Sequence, residues 1–431
     1  MSNNQEKLNE QLFNVIADEK ASDEARLKKV KYLVRLGADV NTRLYGKSLL
    51  SKAMEQNAGI EVQNFLREKG AEEWVISKGE ALVLGRGFWD ENGKIKSVEE
   101  IKELLKKGAD LEAKDKDEQT ALIRAAKRGD IEGVKSLVEL RADVNAKDKD
   151  GRTALMWGAL CGLLDVVKYL AECGGDLDVK DEYGQTALMK VSISGQLDVV
   201  KCLAECGADL EVKDGDGKTA LYWAATWGKL DGVKCLAENG ADLEVKDKFG
   251  DTALMKAASC GHLEVVKYLA ECGADLDVKN HFGHTALMCA SEKGLLEVVK
   301  YLAENGADLE AKDGDGKTAL MWAAKYGQIE VVKCLAENGA DLEAIDDECW
   351  ETALMKAAYK GQLGAVKCLV ELGADLEAKD RYLWTALHKA KIGCKDDCVR
   401  FLKEAQKKVS AQKTKGDKTG VSHIAKANDG R

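Results

Sequence analysis

The chain has 431 residues, 45% of them hydrophobic and 32% charged, with a formal net charge of −10, a balance that folds and stays in solution and that at this length would ordinarily fill about two to four domains. No run of eighteen apolar residues is present, so no transmembrane helix is expected, and the polar opening Met1–Lys7 leads into no signal-type stretch. Thirteen cysteines, an odd number, without a secretory signal point to free thiols in a reducing, cytoplasmic interior.

In chain order the first signal is a weak repetition. Gly37-Ala38-Asp39-Val40-Asn41 closes one unit, Ser48-Leu49-Leu50 leads to Gly70-Ala71, and Glu80-Ala81-Leu82 leads to Gly108-Ala109-Asp110. Residues 1–110 read as about two full degenerate units and one partial one, because a terminal unit turns one face to water and departs from the consensus. About seven extra residues surround Phe88–Gly93 and form either a divergent cap or a grafted contact loop.

Over residues 111–402 the pattern becomes regular. Thr-Ala-Leu begins at Thr120, Thr153, Thr186, Thr219, Thr252, Thr285, Thr318, Thr352 and Thr385, always 33 residues apart except for one extra residue near Cys349-Trp350. Thr318 follows a glycine-containing turn and precedes an apolar stretch, so its hydroxyl is placed to accept from a free amide at a helix start. Leu320, Ala323 and Ala324 fall at helical spacing, and Gly327 suits the left-handed residue that ends a helix. Ile329, Val332 and Leu335 mark the apolar stripe of a second helix, closed by Gly339. Helices of about eight to ten residues do not stand alone in water, so the units must stack. About eleven or twelve of them would make one curved rod on the order of 100 Å long.

The last stretch, residues 403–431, holds eight basic and three acidic residues with no apolar period after Val409, and reads as a flexible basic tail. Lys407-Lys408 with Lys413 and Lys415 could pass for a weak nuclear signal, but a solvated tail explains them as well.

Thr-Ala-Leu-Met, the single Thr385-Ala386-Leu387-His388, the Gly-Ala-Asp-Leu-Glu turns and the Asp313-Gly314-Asp315-Gly316 hairpin together resemble the ankyrin repeat family. The chain departs from that family's pattern in having no proline and in mostly replacing its histidine with methionine. The resemblance implies an all-α repeat solenoid: stacked helix-turn-helix units of 33 residues joined by β-hairpin-like turns, with the first helices on the concave side.

Comparing units with one another separates scaffold from variable surface. The second position after Thr-Ala-Leu holds Arg124, Trp157, Lys190, Trp223, Lys256, Cys289, Trp322, Lys356 and Lys389. A position that takes a basic residue five times in nine is expected to stay at least partly exposed, which would make these tryptophans and cations a ladder. Gap-filling between units is the competing account of the indoles. Near the loop glycines stand Lys127, Arg128, Lys293, Lys325 and Lys360 with Trp227, Tyr326 and Tyr359, and the hairpin tips carry Tyr183, Phe249, Phe282, Trp350, Tyr382 and Trp384. Trp, Tyr and Arg are the usual anchors of protein interfaces, so these residues form a candidate cationic and aromatic face for an acidic protein segment. Hairpin acids such as Asp148, Asp150, Asp214 and Asp216 read as ordinary solvated turn residues.

Chemistry of the chain's own is not expected. Cys202, Cys235, Cys334 and Cys368 alternate with Tyr169, Tyr268 and Tyr301 at one position, and Cys173, Cys206 and Cys272 with Asn239, Asn305 and Asn338 at another, which marks scaffold variants rather than ligands. The pairs Cys202/Cys206 and Cys394/Cys398 lie a turn apart without histidines to complete a zinc site, so neither metal nor cofactor is expected. His281 and His284 fall at a hairpin and Cys260 and His262 at the opposite end of the helices, too far apart to act together. No nucleophile elbow, metalloprotease helix or phosphate loop occurs. A body near −15 without its tail repels nucleic acid. The expected product is a monomeric, non-enzymatic scaffold or adaptor for protein partners; a translocated effector or inhibitor, or the regulatory subunit of a separate enzyme, are the alternatives.

Overall fold

The computed structural model describes residues 109–424 without a break and, before them, residues 2–17, 22–35, 38, 43–44, 47–48, 62, 65–66, 88–89 and 95–106. The chain divides into two compact units, Met1–Ala121 and Leu122–Arg431, where the sequence suggested one continuous stack. Among the described residues no helix is long and apolar enough to cross a membrane.

In the first unit, α1 (Ser2–Ala17) and α2 (Asp23–Arg35) pack together through Leu12, Ile16, Val30 and Leu33, joined by Ala38, Val62 and Leu66. Two short strands, β1 (Arg43–Leu44) and β2 (Lys47–Ser48), pair antiparallel. Helix α3 (Val98–Lys106) opens with a reciprocal cap: the Ser97 amide donates to Glu100 at 3.0 Å, and the Glu100 amide donates to the Ser97 hydroxyl at 3.4 Å. The expected repeat landmarks at Leu49-Leu50, Gly70-Ala71 and Glu80–Leu82, and the inner residues Asp90–Gly93 of the insertion, lie outside the described residues. The insertion's leading residues do not: Phe88 and Trp89 are buried, and Trp89 bridges to Ile95. Burial of two large aromatics supports a cap at this end of the insertion rather than an exposed contact loop.

The second unit is built of helix pairs: α4 (Ala121–Arg128) with α5 (Ile131–Glu139), α6 (Ala154–Leu160) with α7 (Leu164–Glu172), α8 (Ala187–Ser194) with α9 (Leu197–Glu205), α10 (Ala220–Thr226) with α11 (Leu230–Glu238), and α12 (Ala253–Cys260) with α13 (Leu263–Glu271). They continue as α14 (Ala286–Lys293) with α15 (Leu296–Glu304), α16 (Ala319–Tyr326) with α17 (Ile329–Glu337), α18 (Ala353–Lys360) with α19 (Leu363–Glu371), and α20 (Ala386–Ile392) with α21 (Asp396–Ile424).

One pair shows why. Thr318 is extended, and its hydroxyl accepts from the Met321 amide at 3.4 Å, which starts α16 at Ala319. Gly327, with φ of 74°, ends it in the left-handed conformation. Leu320, Met321, Ala323 and Ala324 are buried, and the alanines let neighbouring first helices approach closely. In α17 the buried set is Val331, Val332, Cys334 and Leu335, whereas Ile329, which the sequence placed in the apolar stripe, is exposed. Ile329 is the helix's first residue, and its side chain runs beside Gly364 of the next unit instead of inward. Each fully buried Val or Leu contributes on the order of 2 kcal/mol.

Adjacent units are joined along two edges. At the hairpins, main-chain amides reach back one unit, as from Lys248 to Asp216 O at 2.8 Å and from Gly314 to Phe282 O at 2.9 Å. At the opposite turns, the amides of Asp209 and Asp308 donate to the carboxylates of Asp178 and Asp277 at 3.0 and 2.9 Å. Successive first helices pack more intimately than successive second helices and form the tighter row.

The described part of the tail is helix, not the unstructured extension expected from Lys403: α21 continues through Ile424. Leu402 and Ala405 are buried, and Gln406 donates to Glu377 at 2.9 Å. Beyond them the helix continues through a polar, lysine-rich stretch that has no proline to break it but carries no apolar stripe.

Candidate functional site

Each hairpin turns on one side chain. In Asp148, Asp181, Asp214, Asp247, Asp313 and Asp380 the Oδ1 accepts main-chain N–H groups two and four residues on, as in Asp313 from Asp315 and Lys317 at 2.9 and 2.8 Å. Asp346 does so three and five residues on, absorbing the extra residue. The second oxygen points under the hairpin toward the first helix, and it needs a donor there.

That need explains the alternation of tryptophan and lysine. The Nε1 groups of Trp157, Trp223 and Trp322 donate to Oδ2 of Asp148, Asp214 and Asp313 at 2.8, 2.9 and 2.9 Å. Lys190 pairs with Asp181 at 2.6 Å, Lys389 with Asp380 at 2.7 Å, and Lys356 with Asp346. For Asp247 the donor is the Tyr222 hydroxyl of the preceding unit, at 2.8 Å, which leaves Lys256 to Asp251 at 3.4 Å. Where the hairpin residue is Asn280 and carries no charge, the facing residue is Cys289.

The expectation that this column stays at least partly exposed is therefore corrected at three of its nine residues. Trp322, Lys356 and Lys389 are buried, Lys190 nearly so, and Trp157, Trp223, Arg124 and Lys256 are half-buried. Exposure was inferred from the basic residues, but carboxylates beneath the hairpins allow buried ammoniums. Asp148, taken for a solvated turn residue, is buried as well, and Asp150 and Asp214 are half-buried.

Two kinds of hairpin follow. Where Asp150, Asp216 or Asp315 stands two after the hairpin aspartate, a cation two further on pairs with it: Arg152 at 3.4 Å, Lys218 at 3.1 Å, and Lys317; the hairpins of Asp115 and Asp346, which have Asp117 and Glu348 there but Arg124 and Lys356 on the first helix, belong to neither kind. The same cation lies over the indole of Trp157, Trp223 or Trp322, at 5.1, 4.6 and 5.5 Å from the ring centre. Where that residue is aromatic, the first helix carries lysine or cysteine, and the ring projects outward: Tyr183, Phe249, Phe282 and Tyr382 are all exposed.

The outward groups make a second, open layer. Trp227, Tyr326 and Tyr359 at the ends of first helices are exposed, with Trp227 at 55%. Tyr326 stacks on Trp322 at 5.9 Å with a 10° interplanar angle, and Lys325 lies 4.1 Å over the same indole. Lys127 lies 4.0 Å over Trp157. At the far hairpins Trp350, Trp384 and Leu383 are also exposed, Leu383 at 71%. Leu383 was missed in the sequence, though a signal existed: it stands where six other hairpins have Gly151, Gly184, Gly217, Gly250, Gly283 and Gly316.

Electrostatics agree with the pairing. Burial alone would raise the Asp313 carboxyl, but hydrogen bonds from His284, the Lys317 and Asp315 amides and Trp322 bring it down to about 2. Burial likewise opposes the charged forms of Asp346 and Lys356, yet their mutual contact, with Glu351 beside Lys356, holds the carboxyl below and the ammonium above its ordinary range. Burial pushes Cys202 up to about 11, which makes its thiol inert at neutral pH. Among the described residues no group of three or more His, Cys, Asp and Glu side chains is arranged to hold a metal ion.

A family model described as ankyrin repeats (3 copies) matches residues 92–181, 170–247, 240–313 and 320–415. The chain belongs to the ankyrin repeat family. No curated protein matches it. Ankyrin repeats are in general protein–protein interaction modules and typically not enzymes. In these ankyrin repeats the hairpin aspartates, with their indole and lysine donors, form the framework, and the rings of the outer layer are exposed.

Proposed function

We propose that this protein is a binding scaffold that receives a protein segment across its first helices and hairpin tips. The observation that carries the reading is the open aromatic layer: Tyr183, Trp227, Phe249, Phe282, Tyr326, Trp350, Tyr359, Tyr382 and Trp384 are all exposed on first-helix ends or hairpins. Rings in water cost solvation that folding does not recover, whereas an interface would recover it, and Trp and Tyr are the residues interfaces favour. Arg124, Trp157, Lys190, Trp223, Lys256, Trp322 and Lys356 support this layer from beneath. Because most cations of the face are already paired within it, preference for an acidic segment rests on the few that are not.

The test is capture of partners by the intact protein and by Trp227→Ala/Tyr359→Ala, followed by mass spectrometry. Both forms should show the same circular dichroism and melting temperature, since neither ring is buried. The double variant should lose the partners retained by the parent at least tenfold. An unchanged partner set would overturn the assignment of this face.

A further inference from the structure

Between α16 and α18 lies a small cleft of about 170 Å³ lined by Lys317, Lys325, Glu351, Lys356, Tyr359 and Lys360. Four of its six lining residues are lysines. Their charges are not equally satisfied. Lys317 pairs with Asp315, and Lys356 with Asp346 and Glu351, the latter at 2.6 Å. Glu351, the cleft's one acid, is further engaged by Lys389 from the next unit. Among the described residues Lys325 and Lys360 pair with no carboxylate and rest on rings instead: Lys325 over Trp322 and Tyr326 at 4.1 and 5.3 Å, Lys360 over Tyr359 at 5.6 Å.

Burial and the neighbouring ammoniums of Lys317, Lys360 and Lys356 push the Lys325 ammonium below its ordinary range, and Glu292 only partly opposes them. A cleft that gathers unpaired positive charge in this way is relieved by a bound anion. Two ammoniums lining one cleft can each donate to an oxygen of one carboxylate, and the exposed rings of Tyr326 and Tyr359 offer apolar contact to the chain that carries it.

We infer that this cleft is a subsite for a single aspartate or glutamate side chain of the bound protein segment, held between Lys325 and Lys360. The inference rests on the aromatic face being the docking face, and it names one anchoring point on it. It also locates the face's acidic preference in one repeat pair, rather than along the whole column of lysines.

The full-length protein, reductively methylated with ¹³C-formaldehyde, reports each lysine by its dimethylammonium resonance; the Lys325 and Lys360 signals are identified by their loss in Lys325→Arg and Lys360→Arg. The probes are acetyl-tetraglutamate amide, acetyl-tetraglutamine amide, glutarate and a phosphoserine tetrapeptide. Tetraglutamate should shift both signals saturably and tetraglutamine should shift neither. Lys360→Gln should weaken the tetraglutamate effect on Lys325 about tenfold. Static Lys325 and Lys360 signals under tetraglutamate would overturn the subsite. So would glutarate binding as tightly as the peptide, which marks a small-molecule site, or a tenfold preference for phosphoserine, which marks a phosphoryl site. If the subsite fails while Trp227→Ala/Tyr359→Ala still abolishes partner capture, the docking face stands without it; loss of neither would remove both.

Discussion

Asn280 replaces one carboxylate of the hairpin series with an amide, and the side chains around it differ to match. Its Nδ2 donates to Asp251 at 2.7 Å, and the facing helix position holds Cys289 where other units place lysine or tryptophan. Asn280→Asp would set a carboxylate against Asp251 with no donor opposite. It should destabilise by about 1–3 kcal/mol, the usual cost of an unmet buried polar group. Adding Cys289→Lys should recover most of that loss, because Lys190 meets Asp181 across the same nine-residue spacing at 2.6 Å. Urea unfolding of the parent, both single variants and the double variant gives the coupling directly. A coupling near zero would mean that charge matching is not what selects the residue at this position.

At the scale of the hairpin, Trp350 and Leu383 have φ of 64° each, a left-handed conformation that the six hairpins from Gly151 to Gly316 assign to glycine. A side chain there costs about 1–2 kcal/mol, and nothing within the hairpin returns it. Trp350→Gly and Leu383→Gly should therefore each raise the melting temperature by a few degrees, while weakening partner capture if these tips are contacts. A lowered melting temperature would show that the rings are packed more usefully than their exposure indicates. The same elements show what could be read beforehand. The threonine caps, glycine ends and 33-residue period are local signals, carried by residue type at fixed spacing, and they placed the helices well. Burial of Lys356 and Lys389 was not legible, because it depends on which oxygen of an aspartate ten or nine residues earlier turns inward. The pairing of tryptophan with an acidic hairpin position, and of aromatic hairpin positions with lysine or cysteine, stands in the sequence but gains meaning only once Asp150, Asp216 and Asp315 are seen holding a cation over the indole. The helix beyond Val409 was missed for the opposite reason: without an apolar stripe, composition alone argued against it.

Across the whole second unit the two edges should respond to acid in opposite directions. Along the turn edge, burial first and then the neighbouring carboxylates hold Asp178 and Glu343 above the ordinary carboxylate range. Their ionised forms are destabilising, so stability should rise modestly as pH falls from 7 through their raised values. Along the hairpin edge, Asp313, Asp346 and Asp380 are held below that range. A depressed carboxyl contributes stability that is complete above its unfolded value near 4 and is lost as pH falls toward its folded value. For Asp313, buried and brought down to about 2, the contribution is about 2 kcal/mol, lost between roughly pH 4 and pH 2. The melting temperature should thus pass through a maximum on the acid side of neutrality and fall steeply below roughly pH 4. Asp313→Asn, which keeps the oxygen that accepts the hairpin amides, should be less stable at pH 7 and show a shallower fall. A melting temperature that declines steadily from pH 7, or an Asp313→Asn profile parallel to the parent's, would mean that the ionised hairpin carboxylates are not what fastens each hairpin to its first helix.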